Sequence, residues 1–253
     1  MLSMLTLVRG TLDPSPALRA AATLQGAVGA ELLVVCVDLG PPFPAAEAEE
    51  AREEARRAFD AVCGEKGGSR FKVVDATIAE ALRKQAMFAD LCALSRGSGL
   101  GGDDLGLLKA ALVDGGVPTV LLPKEFAGAA PETVVLSWNG QGATARAIRA
   151  AAPFARRAKR VVVLEHAGNE VNRSRLAHFL EGSGIGEPDW RIYGDKSLTA
   201  RGRARALLAA ASDAGGDLLV MGAYGDAGER IFHFGRATEK VASAARIPVL
   251  FSC

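Results

Sequence analysis

The sequence predicts an α/β protein made of two tandem, doubly wound, Rossmann-like sandwiches, each with a five-stranded parallel sheet. Short strands that are apolar throughout alternate with helical segments, which is typical of a parallel sheet covered on both faces. The same order of elements is found twice along the 253 residues. The composition, 49% hydrophobic and 23% charged, is that of a globular chain, and the length allows one large domain or two small ones.

The first half contains five apolar runs that predict strands, at 3–8, 31–37, 70–74, 88–94 and 117–122. Apolar and alanine-rich segments between them predict helices near 15–28, 46–63, 76–84 and 104–114. Right-handed crossovers between such strands give a doubly wound sheet.

The second half repeats the pattern more clearly. Its predicted strands are the runs 133–137, 160–164, 190–193, 217–221 and 247–251. Its predicted helices are 142–156, 199–213 and 236–245. We expect this half to have the same architecture as the first.

The two halves also match residue by residue. The segment 117–121, Val-Pro-Thr-Val-Leu, corresponds to 247–251, Ile-Pro-Val-Leu-Phe, and Asp90 corresponds to Asp217 at the start of the fourth strand. Such self-similarity indicates an internal duplication. We therefore predict two domains, 1–125 and 131–253, with a boundary near Ala130.

Composition argues against several classes of protein. A formal net charge of +1 gives no basic surface for nucleic acid. No apolar run is long enough to span a bilayer, and the first residues lack the charged start of a secretory signal, so a cytoplasmic protein is expected. The four cysteines form no CxxC pair and are predicted to be structural or incidental thiols in a reducing compartment, and no metal site is predicted.

One loop of the second half has the composition of a phosphate-binding loop. Gly222 and Gly225 follow the fourth strand, and Gly235 comes nine residues later, at the start of a predicted helix. Glycines let the backbone approach a ligand closely, and the N–H groups of a helix N-terminus favour an anion. The glycine spacing alone leaves open whether these residues only turn the chain.

The spacing Gly222-x2-Gly225-x9-Gly235 resembles the nucleotide loop of universal stress proteins, and the similarity extends over nearly the whole chain as two copies. The resemblance implies that the second domain, and not the first, binds ATP or another adenine nucleotide. The contacts would come from loop glycines and hydroxyls and from the residue after the first strand. The candidate site residues are Asn139, His166, Met221, Gly222, Gly225, Gly235, Arg236 and Thr238.

The chain departs from the family pattern within this site. Arg236 replaces the hydroxyl residue after the third glycine, and Asn139 replaces an aspartate, whereas Thr238 keeps a hydroxyl. Arg236 either reaches a phosphate as a cation or fills the pocket with its bulk. His166 ends the second strand and is either a pocket residue or a satisfied polar residue. His233 is expected to pack within the nine-residue segment.

The first domain is predicted to be degenerate and structural. Its glycine-rich segment 95–102 is too short for the nine-residue spacing, and no aspartate directly follows its first strand. Asp13, before Pro14, is interpreted as a helix cap.

Three functions are compatible with the residues. The first is a regulatory or stress-response binding protein without enzymatic activity, since no nucleophile elbow, P-loop or paired carboxylate is present. The resemblance adds an internal pseudo-dimer through the fifth strands and leaves a further homodimer open. The second is a structural or protein-interaction module that binds no nucleotide. The third is an adenine-nucleotide α-hydrolase, whose phosphate-loop signature the sequence lacks.

Overall fold

The computed structural model describes residues 1–10, 13–38, 40, 43–64, 67–98, 100, 104–126, 128–167, 171–223 and 234–253. The chain divides into two compact units, Met1–Ala130 and Pro131–Cys253. Every helix in these ranges is too short or too polar to span a bilayer.

In the first unit, strands and helices alternate, and the strand order is β3-β2-β1-β4-β5 with all pairs parallel. A 3₁₀ turn precedes the fourth strand, and a π-helical segment, Ala110–Asp114, continues the fourth helix. The elements are β1 Ser3–Val8, α1 Ser15–Val28, β2 Glu31–Val37, α2 Ala45–Cys63, β3 Ser69–Val74, α3 Ile78–Gln85, β4 Leu91–Ser95, α4 Asp104–Lys109 and β5 Thr119–Leu122.

The second unit has the same topology, with the order β10-β9-β6-β7-β8 and parallel pairs throughout. Its elements are β6 Thr133–Trp138, α5 Gly142–Ala155, β7 Arg160–His166, α6 Arg173–Gly182, β8 Asp189–Tyr193, α7 Ala200–Asp213, β9 Leu218–Gly222, α8 Arg236–Ala244 and β10 Val249–Ser252. The predicted α/β class with parallel sheets is confirmed.

The central strands are buried on both faces, which explains their uninterrupted apolar sequences. Val134, Val135 and Leu136 of β6 have no exposed surface, and neither do Leu218 and Leu219 of β9. Helices on both faces of a parallel sheet exclude water from every side chain of such a strand. Burial of this kind is the main stabilising contribution to each unit.

Helix α6 is absent from the sequence prediction. Only Leu176 and Leu180 of this helix are buried, so its apolar signal is short. It begins after Asn172, which has a positive φ of 54°. The fourth strand of the first unit also begins at Leu91 rather than at 88, because the 3₁₀ turn Ala86–Phe88 occupies its predicted start.

In each unit, the duplicated aspartate links the start of the fourth strand to the start of the first by hydrogen bonds. Oδ2 of Asp90 accepts a hydrogen bond from the Ser3 amide at 2.7 Å. Oδ2 of Asp217 accepts from the amides of Glu132 and Thr133 at 3.0 and 2.9 Å. The repeated residue therefore has the same structural role in both units.

The order of strands in the second unit determines where a ligand can bind. β6 lies between β7 and β9, so the chain crosses over one face after β6 and over the other face before β9. In open parallel sheets, the carboxyl ends of strands at such a switch point border a crevice.

Candidate functional site

A cleft of about 580 Å³ lies at the carboxyl ends of β6, β7 and β9 in the second unit. It also contacts β8, α7 and the start of α8. Of the predicted site residues, those that line it are Asn139, His166, Met221, Gly222, Gly235, Arg236 and Thr238. Gly225 and His233 lie outside the described residues.

Gly222 lies against the N-terminus of α5. A Cβ atom at this position would lie 2.9 Å from the amide nitrogen of Thr144 and 3.0 Å from its hydroxyl oxygen. These distances are too short for a side chain. The glycine is therefore required by helix–strand packing, independently of any ligand.

The side chain of Asn139 makes hydrogen bonds to residues at the start of helix α5. Its Oδ1 accepts hydrogen bonds from the Gln141 amide at 3.1 Å and from the Thr144 hydroxyl at 2.6 Å. Its Nδ2 donates to Oε1 of Gln141 at 3.0 Å. An asparagine that hydrogen-bonds the backbone two residues on is a local turn device. The side-chain oxygen of Asn139 is thus already saturated within the protein.

Thr238 is 4% exposed, and its hydroxyl donates to the carbonyl oxygen of Ala223 at 2.5 Å. The expectation that this hydroxyl donates to a ligand does not fit this arrangement, because its single proton is engaged by the protein. The hydroxyl joins α8 to the chain just beyond β9.

Gly235 is the N-cap of α8, with φ −65° and ψ 151°. No atom lies within 4 Å of the place that a Cβ would occupy, so its exposed side is open space. No side chain caps this helix end. The first-turn N–H groups, which lack partners within a helix, border the cleft at Arg236, Ala237 and Thr238.

Three cationic side chains line the cleft, and no carboxylate does so among the described residues. They are Lys196, Arg203 and Arg236, all of them exposed. None has an ion-pair partner in the described ranges. Asp195 is adjacent to Lys196, but its carboxylate accepts from the Ser197 amide and hydroxyl, and these bonds lower its pKa. The cleft therefore favours an anion.

Lys196 and Arg203 were not among the residues predicted from the sequence. They lie in the segment between β8 and the second turn of α7, which matches no ligand-binding motif. Arg236 was predicted, and its side chain is exposed beside an open cleft, which does not support the expectation that its bulk fills the pocket.

His166 and Tyr193 meet edge to face at the ends of β7 and β8, with 5.4 Å between ring centroids. Nε2 of His166 is buried and has no hydrogen-bond partner in the described part of the chain. Burial raises the pKa of the Tyr193 phenol, against the opposing effects of its hydrogen bond with Ser137 and the charge of Arg203. These side chains form a polar wall of the cleft.

The corresponding region of the first unit is smaller. A cavity of about 180 Å³ lies among the ends of β1 and β4 and the start of α1. The N-cap of α1 is Pro14 and not Asp13, but Oδ1 of Asp13 accepts from the amide of Ser15, the first residue of α1, at 2.9 Å, and hydrogen bonds with Ser15 lower the pKa of Asp13. Within the described ranges, no three His, Cys, Asp or Glu side chains gather as a metal-binding group would require.

Solved structures share this fold. A universal stress protein from Archaeoglobus fulgidus DSM 4304 superposes with a TM-score of 0.73 at 16% identity, covering 98% of this chain and 97% of that one. A functionally unknown protein from Pseudomonas aeruginosa PAO1 gives a TM-score of 0.64 at 17% identity, covering 99% and 92%. A putative universal stress protein from Pseudomonas aeruginosa UCBPP-PA14 gives 0.62 at 17%, with the same coverage.

Comparison of the sequence with models of protein families gave no match, and comparison with curated proteins gave none either. The structural likeness extends over nearly the whole chain. The chain therefore has the fold of universal stress proteins, and the resemblance predicted from its sequence is confirmed at that level.

Proposed function

We propose that this chain is a cytoplasmic regulatory protein of the universal stress type, whose second unit binds ATP or another adenine nucleotide. The observation that supports this most strongly is the charge of the cleft. Lys196, Arg203 and Arg236 line the same cleft as the N-terminus of α8, which has no side-chain cap, and no carboxylate is among the described residues that line it.

The phosphate end of the ligand would lie at α8. Backbone N–H groups and the helix dipole attract negative charge there, and Gly235 leaves the approach open. Arg236 would then act as a cation toward a phosphate oxygen.

The base would lie on the apolar part of the cleft. Met221, Leu207 and Val241 are buried side chains that line it, and such surfaces hold flat aromatic ligands. The choice of adenine follows from the family resemblance. We propose binding without turnover, because Nε2 of His166, the histidine in the described part of the cleft, hydrogen-bonds no nucleophilic side chain there.

A second candidate is a structural or interaction module that binds no nucleotide. Its support is that the Asn139 oxygen and the Thr238 hydroxyl make hydrogen bonds within the protein. Two groups that the resemblance assigns to the ligand are then already used by the fold. The pairing of fifth strands and a further homodimer are also predictions of the resemblance, and light scattering with variants in β5 and β10 tests them.

Calorimetric titration with ATP, AMP and adenosine, with Mg²⁺ present, tests the two candidates. Gly235→Asp places a carboxylate at an N-cap with suitable backbone angles, so we expect a folded protein that no longer binds a phosphate there. Gly186→Asp is the matched control, because this glycine also faces open space and does not line the cleft.

Saturable binding of ATP that Gly235→Asp abolishes and Gly186→Asp keeps is the expected result, with adenosine much weaker. Binding that survives Gly235→Asp contradicts the proposed location. No heat and no thermal stabilisation at millimolar ATP or AMP contradicts nucleotide binding and favours the interaction module.

A further inference from the structure

We propose that the second unit carries another binding site, a groove between helices α5 and α6 that takes a small amphipathic anion. The groove has a volume of about 400 Å³ and lies beside the nucleotide cleft. Its ligand would be a carboxylate with an apolar body. This inference does not depend on nucleotide binding.

The floor of the groove is apolar. Trp138, Ile148 and Leu176 line it and are 7%, 1% and 3% exposed, and the partly exposed Ala145 and Phe179 extend the same surface. A concave apolar surface with a few polar groups at its edge is the usual form of a small-molecule site.

The rim carries two arginines. Arg149 of α5 and Arg175 of α6 line the groove, are exposed, and have no ion-pair partner in the described ranges. Among the described residues that line the groove there is no aspartate or glutamate. Arg173, one position outside it on the same helix, is by contrast paired with the buried Glu165. Two unpaired guanidinium groups over an apolar floor complement a carboxylate head on a hydrocarbon body.

The walls are fixed by contacts between the loop after β6 and the start of α6. Nε1 of Trp138 donates to the carbonyl oxygen of Val171 at 2.6 Å. Gly140, at φ 76°, lies so close to Val171 that a Cβ would be 2.3 Å from its Cγ2. The two sides are therefore held together without a ligand, and a formed groove loses less entropy on binding than a mobile one.

Trp138 also supplies the signal for a test. It lines both the groove and the cleft, and the chain has only one other tryptophan, Trp190. Trp190→Phe makes Trp138 the single indole of the protein. A ligand in the groove would then change the fluorescence of this side chain directly.

The experiment titrates Trp190→Phe protein with octanoate and with octanol, its uncharged analogue. We expect a saturable change of emission with octanoate and a weaker response to octanol. Arg149→Gln combined with Arg175→Gln should lower the affinity for octanoate by about tenfold and leave the affinity for octanol unchanged, since only the carboxylate interacts with the two charges. Arg205→Gln, an exposed arginine of α7 outside both cavities, is the matched control.

Ala145→Phe gives an independent result, because its ring would occupy the groove and should reduce the binding of both probes. Equal affinity for octanoate and octanol overturns the inference. So does an octanoate affinity that the double arginine variant keeps, or the lack of any saturable change in the Trp190→Phe protein.

Discussion

The hydroxyl of Thr238 and the carbonyl oxygen of Ala223 are joined by a hydrogen bond of 2.5 Å. Both residues are buried, and the bond links the first turn of α8 to the residue that follows β9. The helix whose N-terminus borders the cleft is thus positioned by a side chain that the family resemblance assigns to the ligand.

We expect Thr238→Val to lower the free energy of unfolding by about 1–3 kcal/mol, because it leaves the buried carbonyl of Ala223 without its donor. Thr238→Ser keeps the hydroxyl and should lose less. Urea denaturation followed by circular dichroism measures both. If Thr238→Val is as stable as the parent and loses only nucleotide affinity, then the hydroxyl serves the ligand and not the fold.

Gly222→Ala should also act through stability. The added methyl group would meet the Thr144 amide at 2.9 Å, and this backbone cannot move aside without shifting the start of α5. Overpacking of this kind costs about 1–3 kcal/mol. Gly182→Ala, with open space around its Cβ position, is the control in the same urea experiment. A Gly222→Ala protein of parental stability would contradict the close packing.

The buried thiols should be chemically inert and should make the fold sensitive to alkali. Burial raises the pKa of Cys36 to about 11 and that of Cys92 to about 12. A raised folded-state pKa gives stability that is complete below the unfolded value of about 8.5 and is lost as pH rises through the folded one. The free energy of unfolding should therefore fall as the pH rises from about 8.5 toward 11.

The measurement is urea denaturation at several pH values, with thiol titration of the native protein at pH 8. The fall with pH should be smaller in Cys92→Ala, whatever its absolute stability. Cys253 is partly exposed and should react faster than the three buried thiols, although burial raises its pKa as well, and Cys253→Ser should remove that faster reaction. Rapid reaction of all four thiols in the native protein would contradict their burial.

The sequence predicted what depends on local pattern. Apolar runs located the central strands, and glycine spacing with a family resemblance located the cleft at Gly222 and Gly235. It did not reveal which hydrogen bonds those residues make. Asn139 was chosen as a ligand contact, yet its oxygen accepts hydrogen bonds from Gln141 and Thr144 at the start of α5, a pairing set by the turn that follows β6.

The cationic residues of the cleft and the groove were harder to predict from the sequence than the location of the cleft. Lys196 and Arg203 are separated from Arg236 by more than thirty residues, and isolated cations on a helix are read as solvated surface. Only the packing of α7 against α8 brings all three to one cleft. Arg149 and Arg175 lie on different helices and became neighbours only in the structure, one of them on a helix that the sequence did not predict.

Arg236 offers the sharpest test of what the cleft is for. It is the first residue of α8, where the helix dipole is positive, so its own charge disfavours the helix. Glu239 lies in the same turn but does not line the cleft. We therefore expect Arg236→Gln to raise the free energy of unfolding of the ligand-free protein by about 0.3–1 kcal/mol. The same substitution should lower the affinity for ATP.

Arg246→Gln is the matched control, since this exposed arginine follows the C-terminus of α8, where a cation is favourable. It should not stabilise the protein and should leave ATP affinity unchanged. Thermal denaturation without ligand and calorimetry with ATP measure the two effects separately. A stabilised Arg236→Gln protein with undiminished ATP affinity would mean that the cation does not contact phosphate. A rise in affinity would mean that the Arg236 side chain obstructs the site, and its charge at the start of α8 would then have no phosphate to offset its cost.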